Sequence, residues 1–105
     1  MPNAATPGGL GSLYRQKALV YTSMTHVFEA EDGRDWERVL RYVEETRKHL
    51  ADGVRLFQEH LARATDEMEK SRIASLADEF NAMRSSYLRV LESVVTHARS
   101  AGPTG

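Results

Sequence analysis

Apolar residues recur every seven positions between Trp36 and Met68, and this stretch carries the most regular pattern of the chain. The first series is Trp36, Val43, Leu50, Phe57 and Ala64, and the second is Leu40, Val54, Leu61 and Met68. Arg47 occupies the remaining position of the second series. Two such series place their side chains along one stripe of a long helix. One helix alone cannot bury that stripe, so the pattern predicts that other helices cover it.

A first helix is predicted before this stretch. Its apolar face comprises Leu10, Leu13, Tyr14, Val20, Tyr21, Met24, Val27 and Phe28. Gly33 predicts its end, because glycine adopts the left-handed conformation at little cost, and Asp32 or Asp35 can then cap the second helix. A link this short predicts that the first two helices are antiparallel neighbours.

A change of phase separates the second helix from a third. The next apolar series, which starts at Ile73 and continues through Phe80, lies two residues out of register with the first. Asp66 and Glu69 between the two patterns are typical of the first turn of a new helix. We therefore predict a turn at Arg63 to Asp66. The alternative is a continuous rod over residues 35–100 that pairs with a second chain.

The predicted fold is all-α, an antiparallel three-helix bundle in which the second and third helices form a long hairpin. A chain of 105 residues is long enough for one such domain, expected over residues 10–100. Residues 1–9 are rich in proline and glycine and are expected to be disordered, as is a tail at 101–105. The predicted helices are about 10–31, 35–63 and 67–99.

Composition excludes several classes of protein. The 41% apolar and 28% charged residues with a net charge of −1 are those of an ordinary soluble protein. The absence of cysteine excludes disulfides and thiolate sites.

We expect no membrane segment, because no long apolar run occurs, and no nucleic-acid partner, because the basic residues are evenly spread. Without a recognisable secretory signal, a cytoplasmic location is expected.

No constellation of catalytic or metal-binding residues is apparent. The motifs of bundle di-iron centres, zinc proteases and phosphate-binding loops are all absent. The four histidines are widely spaced and are expected to be solvated or at the rim: His26, His49, His60 and His97. We therefore expect no enzyme, no metal and no cofactor, with an unrecognised enzyme as an open alternative.

Three residues stand out within the second helix. Arg47 falls inside the apolar stripe, where its stem can lie on apolar surface with the charged head in water, or can pair with a carboxylate of a partner. Gly53 is unfavourable in a helix interior and allows close approach of another helix. Trp36 in the first turn is expected to close one end of the bundle.

The carboxyl half of the third helix has an apolar arc of about 160°. It is either a wide core face or a docking site, and in the second case Leu88 and Val95 at its edges are expected to be exposed. Leu56, on the far side of the second helix, is a further exposed apolar candidate. The candidate partner-binding residues are Tyr87, Leu88, Leu91, Val94, Val95, Leu56 and Arg47.

The segment from Tyr14 to Phe57 contains SMTHVFEAEDGRDWERVLRYVEETRKHL. Ser23 and Met24, the Asp35-Trp36-Glu37 sequence at the link exit, and Glu44 or Glu45 carry a resemblance to the FliT-type flagellar export chaperones. The resemblance covers under half of the chain, and the link is about one residue longer than in that family.

The resemblance implies a cytosolic, non-enzymatic chaperone that keeps the filament-cap protein soluble before export by covering its terminal helix. The expected partner is thus a protein with an amphipathic helix. One alternative is a helical adaptor unrelated to flagella. The other is a structural homodimer in which two copies pair through the same face that would otherwise bind the partner.

Overall fold

The structure is a computed structural model that describes residues 10–101, and these residues form three α-helices. Their bounds are Leu10–Asp32 for α1, Trp36–Arg63 for α2 and Glu67–Ala101 for α3. The predicted all-α three-helix architecture is confirmed. The expected disorder of residues 1–9 lies outside the described residues, as do residues 102–105, whereas Ala101 belongs to α3.

α2 is the central helix of the bundle. It packs along both α1 and α3, whereas α1 and α3 meet along a narrow line. Because α3 has 35 residues and α1 only 23, the α2–α3 hairpin extends beyond α1, as expected. The result is an elongated body of 56 by 26 by 16 Å.

The link between α1 and α2 differs from the prediction in one respect. The left-handed residue is Arg34, with φ of 55°, and not Gly33. The amide of Gly33 instead continues the helical pattern by donating to the Glu29 carbonyl at 3.1 Å. Asp35 caps α2 as predicted, since its side chain accepts a hydrogen bond from the Arg38 amide at 3.3 Å.

The predicted turn between α2 and α3 is confirmed, and the continuous rod is excluded. Ala64 leaves the helix with an extended backbone, at φ −68° and ψ 135°. Asp66 then opens α3, because its carboxylate accepts a hydrogen bond from the Met68 amide at 3.2 Å and its carbonyl accepts one from Lys70 at 2.9 Å. The phase change in the sequence therefore corresponds to a true break in the helix.

The buried stripe of α2 is rotated from the predicted one. In the first series, all residues except the half-buried Trp36 lie in the core. Of the second series only Val54 packs against the core, whereas Leu40 and Leu61 are 37% and 38% exposed and Met68 is 70% exposed, so the prediction was wrong for these three residues. The second set of inward positions is Val39, Thr46, Gly53 and His60.

Two of these inward positions carry polar groups that find partners nearby. The Thr46 hydroxyl donates to the Tyr42 carbonyl at 2.8 Å. The ring of His60 lies 3.0 Å from the Leu56 carbonyl through Nδ1 and 3.3 Å from the Ser12 hydroxyl through Nε2. Burial of a satisfied polar group costs little, so the core accepts them. The expectation that every histidine is solvated or at the rim was therefore wrong for His60, which is 5% exposed.

Gly53 determines how closely α3 approaches α2. The Phe80 ring lies directly over it, and a Cβ atom at Gly53 would overlap that ring. Phe80 also contacts Phe57, with ring centroids 5.2 Å apart. The absence of a side chain at Gly53 thus creates the recess into which the largest fully buried side chain fits.

The end of the bundle near the first link is closed by a small cluster. Trp36 meets the ring of His97 edge to face at a centroid distance of 5.1 Å, and His97 Nδ1 lies 2.9 Å from a carboxylate oxygen of Glu31. Trp36 is only half-buried, so it covers this end without being a fully buried plug.

Replacement of the two large core residues is expected to be costly. Leu50→Ala and Phe80→Ala should each lower the free energy of unfolding by about 2 to 5 kcal/mol, because both side chains are 1% exposed and leave cavities. Urea unfolding followed by circular dichroism measures the loss. A change below about 0.5 kcal/mol would contradict their place in the core.

Gly53→Ala is expected to destabilise the protein, although alanine is the better helix former by about 1 kcal/mol. The new methyl group has to displace the Phe80 ring, and such overpacking costs about 1 to 3 kcal/mol. In the double variant Gly53→Ala/Phe80→Leu, the smaller side chain should relieve the overlap. The two effects should then be non-additive in urea unfolding, and simple additivity would contradict the proposed contact.

Candidate partner-binding surfaces

Three of the sequence-predicted site residues belong to the bundle interior or its seams. Leu91 and Val94 are 0% and 5% exposed and face the core. Tyr87 is half-buried and meets Tyr21 of α1 edge to face at 6.1 Å. Burial raises the pKa of Tyr87 above its ordinary value, and the neighbouring Tyr21 raises this pKa further. These residues hold α3 in place, so a partner cannot reach Leu91 or Val94 in the folded protein.

Leu88 and Val95 are not the exposed edge that the sequence suggested. Both are half-buried and pack against the core cluster. The expectation that they have no folding role was therefore wrong. The middle of the α3 arc, with Leu91 and Val94, lies in the core, and its edges at Leu88 and Val95 pack partly against that core.

Leu56 is half-buried and packs against the core cluster, so the expectation that it is exposed on the far side of α2 was wrong. It lies on a different side of the molecule from Leu88 and Val95. It lines a shallow groove between α1 and α2 together with Gln16 and Leu19. In the same region, Gln16 Nε2 donates to the His49 carbonyl at 2.8 Å and so ties α1 to α2. The structure thus separates Leu56 from the other candidate residues.

Arg47 is half-buried on the outer flank of α2. Its guanidinium Nη1 lies 3.2 Å from a carboxylate oxygen of Glu44 on the same helix. This pair is largely exposed, with 75% of the Glu44 side chain accessible, so it contributes little to stability. The Arg47 side chain is itself 40% exposed, so its charged head remains accessible to water.

Because α2 and α3 are antiparallel neighbours, each level of α2 faces one level of α3. The ring contacts Phe57–Phe80 and Trp36–His97 show which levels of α2 and α3 face one another. In this register Leu40 lies near the level of Val95, and Arg47 near the level of Leu88.

The flanks of α2 and α3 that contact α1 lie on the opposite side. Tyr42 of α2 stacks on His26 of α1 with a centroid distance of 5.0 Å, and Glu79 of α3 pairs with Lys17 of α1 at 3.7 Å. The other flanks of α2 and α3 are therefore turned away from α1. We call this surface the hairpin strip: Leu40, Arg47, Val54, Leu61, Leu88 and Val95.

A second apolar surface lies on α1. Tyr14, Tyr21 and Phe28 are 55%, 47% and 45% exposed, although the sequence pattern placed them on the core face. The core face of α1 is instead formed by Leu13, Val20, Met24, Val27 and Ala30. The seven-residue spacing of the three aromatic residues is the signal from which this second surface can be found. We call it the α1 aromatic stripe.

Chemical groups within residues 10–101 are dispersed or already partnered. No three acidic or histidine side chains of this part of the chain come together as metal ligands. Its buried side-chain nitrogen and oxygen atoms all have hydrogen-bond partners. None of these three helices has the length and apolar character needed to cross a membrane. The features of this part of the chain that stand out are therefore its two apolar surfaces.

Comparison of the chain with protein-family models, with curated proteins and with solved structures finds no match to any of the three.

Proposed function

We propose that this protein is a non-enzymatic helical binding protein whose hairpin strip receives an amphipathic helix of a partner protein. The observation that carries the proposal is the line of outward apolar residues on α2, in which Leu40 and Leu61 are more than a third exposed on either side of Arg47. Such a line of apolar side chains, repeated every seven residues, is the surface that a second helix recognises.

The dimensions of the strip suit a helix of about three heptads. Leu40 and Leu61 are 21 residues apart, which corresponds to about 32 Å along α2. Val54 on the same line is half-buried, as are Leu88 and Val95 on the neighbouring flank of α3. A docked helix can therefore lie along the outward flanks of α2 and α3 and cover Leu40 and Leu61.

Arg47 defines the chemistry of the occupant at the centre of the strip. Its present partner, Glu44, is exposed and adjacent on the same helix, so a carboxylate from a docked helix can replace it at small cost. An arginine left unpaired under a wholly apolar helix is unfavourable. The expected occupant thus has apolar residues seven positions apart and an acidic residue between them.

The resemblance to FliT-type export chaperones supports a specific form of this proposal. In that form the occupant is the terminal helix of a flagellar filament-cap protein, which the chaperone covers in the cytoplasm before export. A structural homodimer that pairs two copies through the hairpin strip is the competing function, and it predicts a different result in the experiment below.

The double variant Leu40→Glu/Leu61→Glu is expected to lose binding of a filament-cap terminal-helix peptide by about 100-fold or more. Two carboxylates cannot be buried unpaired against an apolar helix, whereas both positions tolerate charge in the free protein because they are exposed. Calorimetric titration with the peptide measures the affinity, and thermal melting checks that the fold is retained.

Leu19→Glu is the matched control, because Leu19 is 46% exposed but lies in the groove between α1 and α2. It should retain wild-type affinity. Arg47→Glu should weaken binding about tenfold, and an acidic-to-arginine change in the peptide should restore it. If the double variant binds the peptide as tightly as the wild type does, the hairpin strip is not the binding site. If the wild type is a dimer and the double variant is a monomer, the result supports the structural homodimer instead.

A further inference from the structure

The α1 aromatic stripe alternates with a second line of small residues. Tyr14, Tyr21 and Phe28 are each preceded by a small residue three positions earlier: Gly11, Ala18 and Thr25. All six positions are exposed, although one edge of the Tyr21 ring meets Tyr87 of α3 at a centroid distance of 6.1 Å. Large and small side chains thus alternate along one open face of α1, which is the pattern of a helix that packs against a helix of similar pattern.

The charged residues of α1 have signs that interact unfavourably with the dipole of this helix. Arg15 and Lys17 lie in the first half of the helix, and Glu29, Glu31 and Asp32 lie at its carboxyl end. The first turn has no acidic residue and the last turn has no basic one. Acidic groups at a helix carboxyl terminus are unfavourable, so stability of α1 alone does not explain this arrangement.

Two of these charges already serve the bundle. Lys17 pairs with Glu79 at 3.7 Å, and Glu31 lies 2.9 Å from His97. Arg15 and Asp32 make no ion pair within residues 10–101, and Glu29 meets only the His26 ring at 3.6 Å. Arg15 and the carboxyl-terminal Glu29 and Asp32 are therefore open to a charge of opposite sign on another molecule.

We propose that the α1 aromatic stripe is the interface of a homodimer, in which α1 of a second copy lies antiparallel against it. A two-fold axis between residues 19 and 20 places each aromatic ring over a small residue of the other copy. Tyr21 then faces Ala18, Tyr14 faces Thr25 and Phe28 faces Gly11. The stripe is self-complementary in this orientation, as an isologous interface requires.

The same alignment brings opposite charges together at both ends. Arg15 of one copy lies on the same flank as Glu29 of the other, about five residues apart along the axis, or about 7.5 Å. Packed helix axes are also about 8 to 10 Å apart, so the arginine and glutamate side chains both have to extend to meet. The two-fold axis repeats the pair. A parallel arrangement would instead set Arg15 beside Arg15 and Glu29 beside Glu29, which is repulsive.

The dimer leaves the hairpin strip free, because that strip faces away from α1. One dimer therefore presents two binding strips on opposite sides. The inference is independent of the proposed function, since it rests on different residues and on a different observable.

Sedimentation equilibrium tests the interface directly. At about 100 μM the wild-type chain is expected to have twice its 11.8 kDa mass. Tyr14→Glu should reduce this to the monomer mass, because Tyr14 is 55% exposed in one copy and its carboxylate replacement would be buried against Thr25 of the other. Leu61→Glu, at a similarly exposed position on the hairpin strip, should remain dimeric. A wild-type chain that stays monomeric at about 1 mM overturns the proposal.

A charge exchange at the ends tests the orientation without changing the aromatic residues. Arg15→Glu and Glu29→Arg should each raise the dimer dissociation constant about tenfold, since each sets like charges together. The double variant Arg15→Glu/Glu29→Arg should restore the wild-type constant, and added salt should weaken the effect. Both residues are exposed, so the fold is retained. If the double variant dimerises more weakly than either single variant, the antiparallel arrangement is overturned.

Discussion

The seating of the Phe80 ring over Gly53 is the contact on which the geometry of this bundle depends. A ring that rests on bare backbone brings α3 close to α2 and sets which levels of the two helices meet. It also favours one rotation of α2 about its axis, because Gly53 has to face inward. With Gly53 inside, Val39 and His60 also face inward, and Leu40 and Leu61 face outward.

The outward apolar residues follow from that rotation and not from a shortage of core positions. A core built on Leu40, Val54 and Leu61 would bury more apolar surface from α2, yet it would turn Gly53 away from Phe80. The observed core instead accepts Thr46 and His60, whose polar atoms are satisfied by Tyr42, Leu56 and Ser12. Satisfied polar groups cost little when buried, and the leucines they replace remain exposed at the surface.

The two apolar surfaces differ in the kind of partner that their charges favour. The hairpin strip has a single cation, Arg47, at its centre, which suits a partner helix with one acid in the middle. The α1 aromatic stripe has a cation at one end and anions at the other, which suits an antiparallel copy of itself. Because the hairpin strip and the α1 aromatic stripe lie on different sides of the bundle, a partner proposed for one would not obstruct a partner proposed for the other.

Local features of this protein could be predicted from the sequence more fully than tertiary features. The three helices, the cap at Asp35 and the break before Asp66 followed from apolar periodicity and capping chemistry, which act over a few residues. The rotation of α2 and the exposure of the α1 aromatic residues did not follow. They depend on whether Phe80, twenty-seven residues away from Gly53, finds a recess, and a hydrophobicity pattern does not contain that information.

For the candidate surfaces, the sequence by itself determined that apolar side chains exceed what one stripe per helix can bury, and that Arg47 lies among them. Only the tertiary structure decided which of them stay in contact with water. It placed Leu91 and Val94 in the core, moved Leu56 to the α1 side, and left Leu40, Leu61 and Tyr21 at the surface. The physical reason is that a helix can rotate to bury either of two overlapping stripes, and the fit of its neighbours selects one.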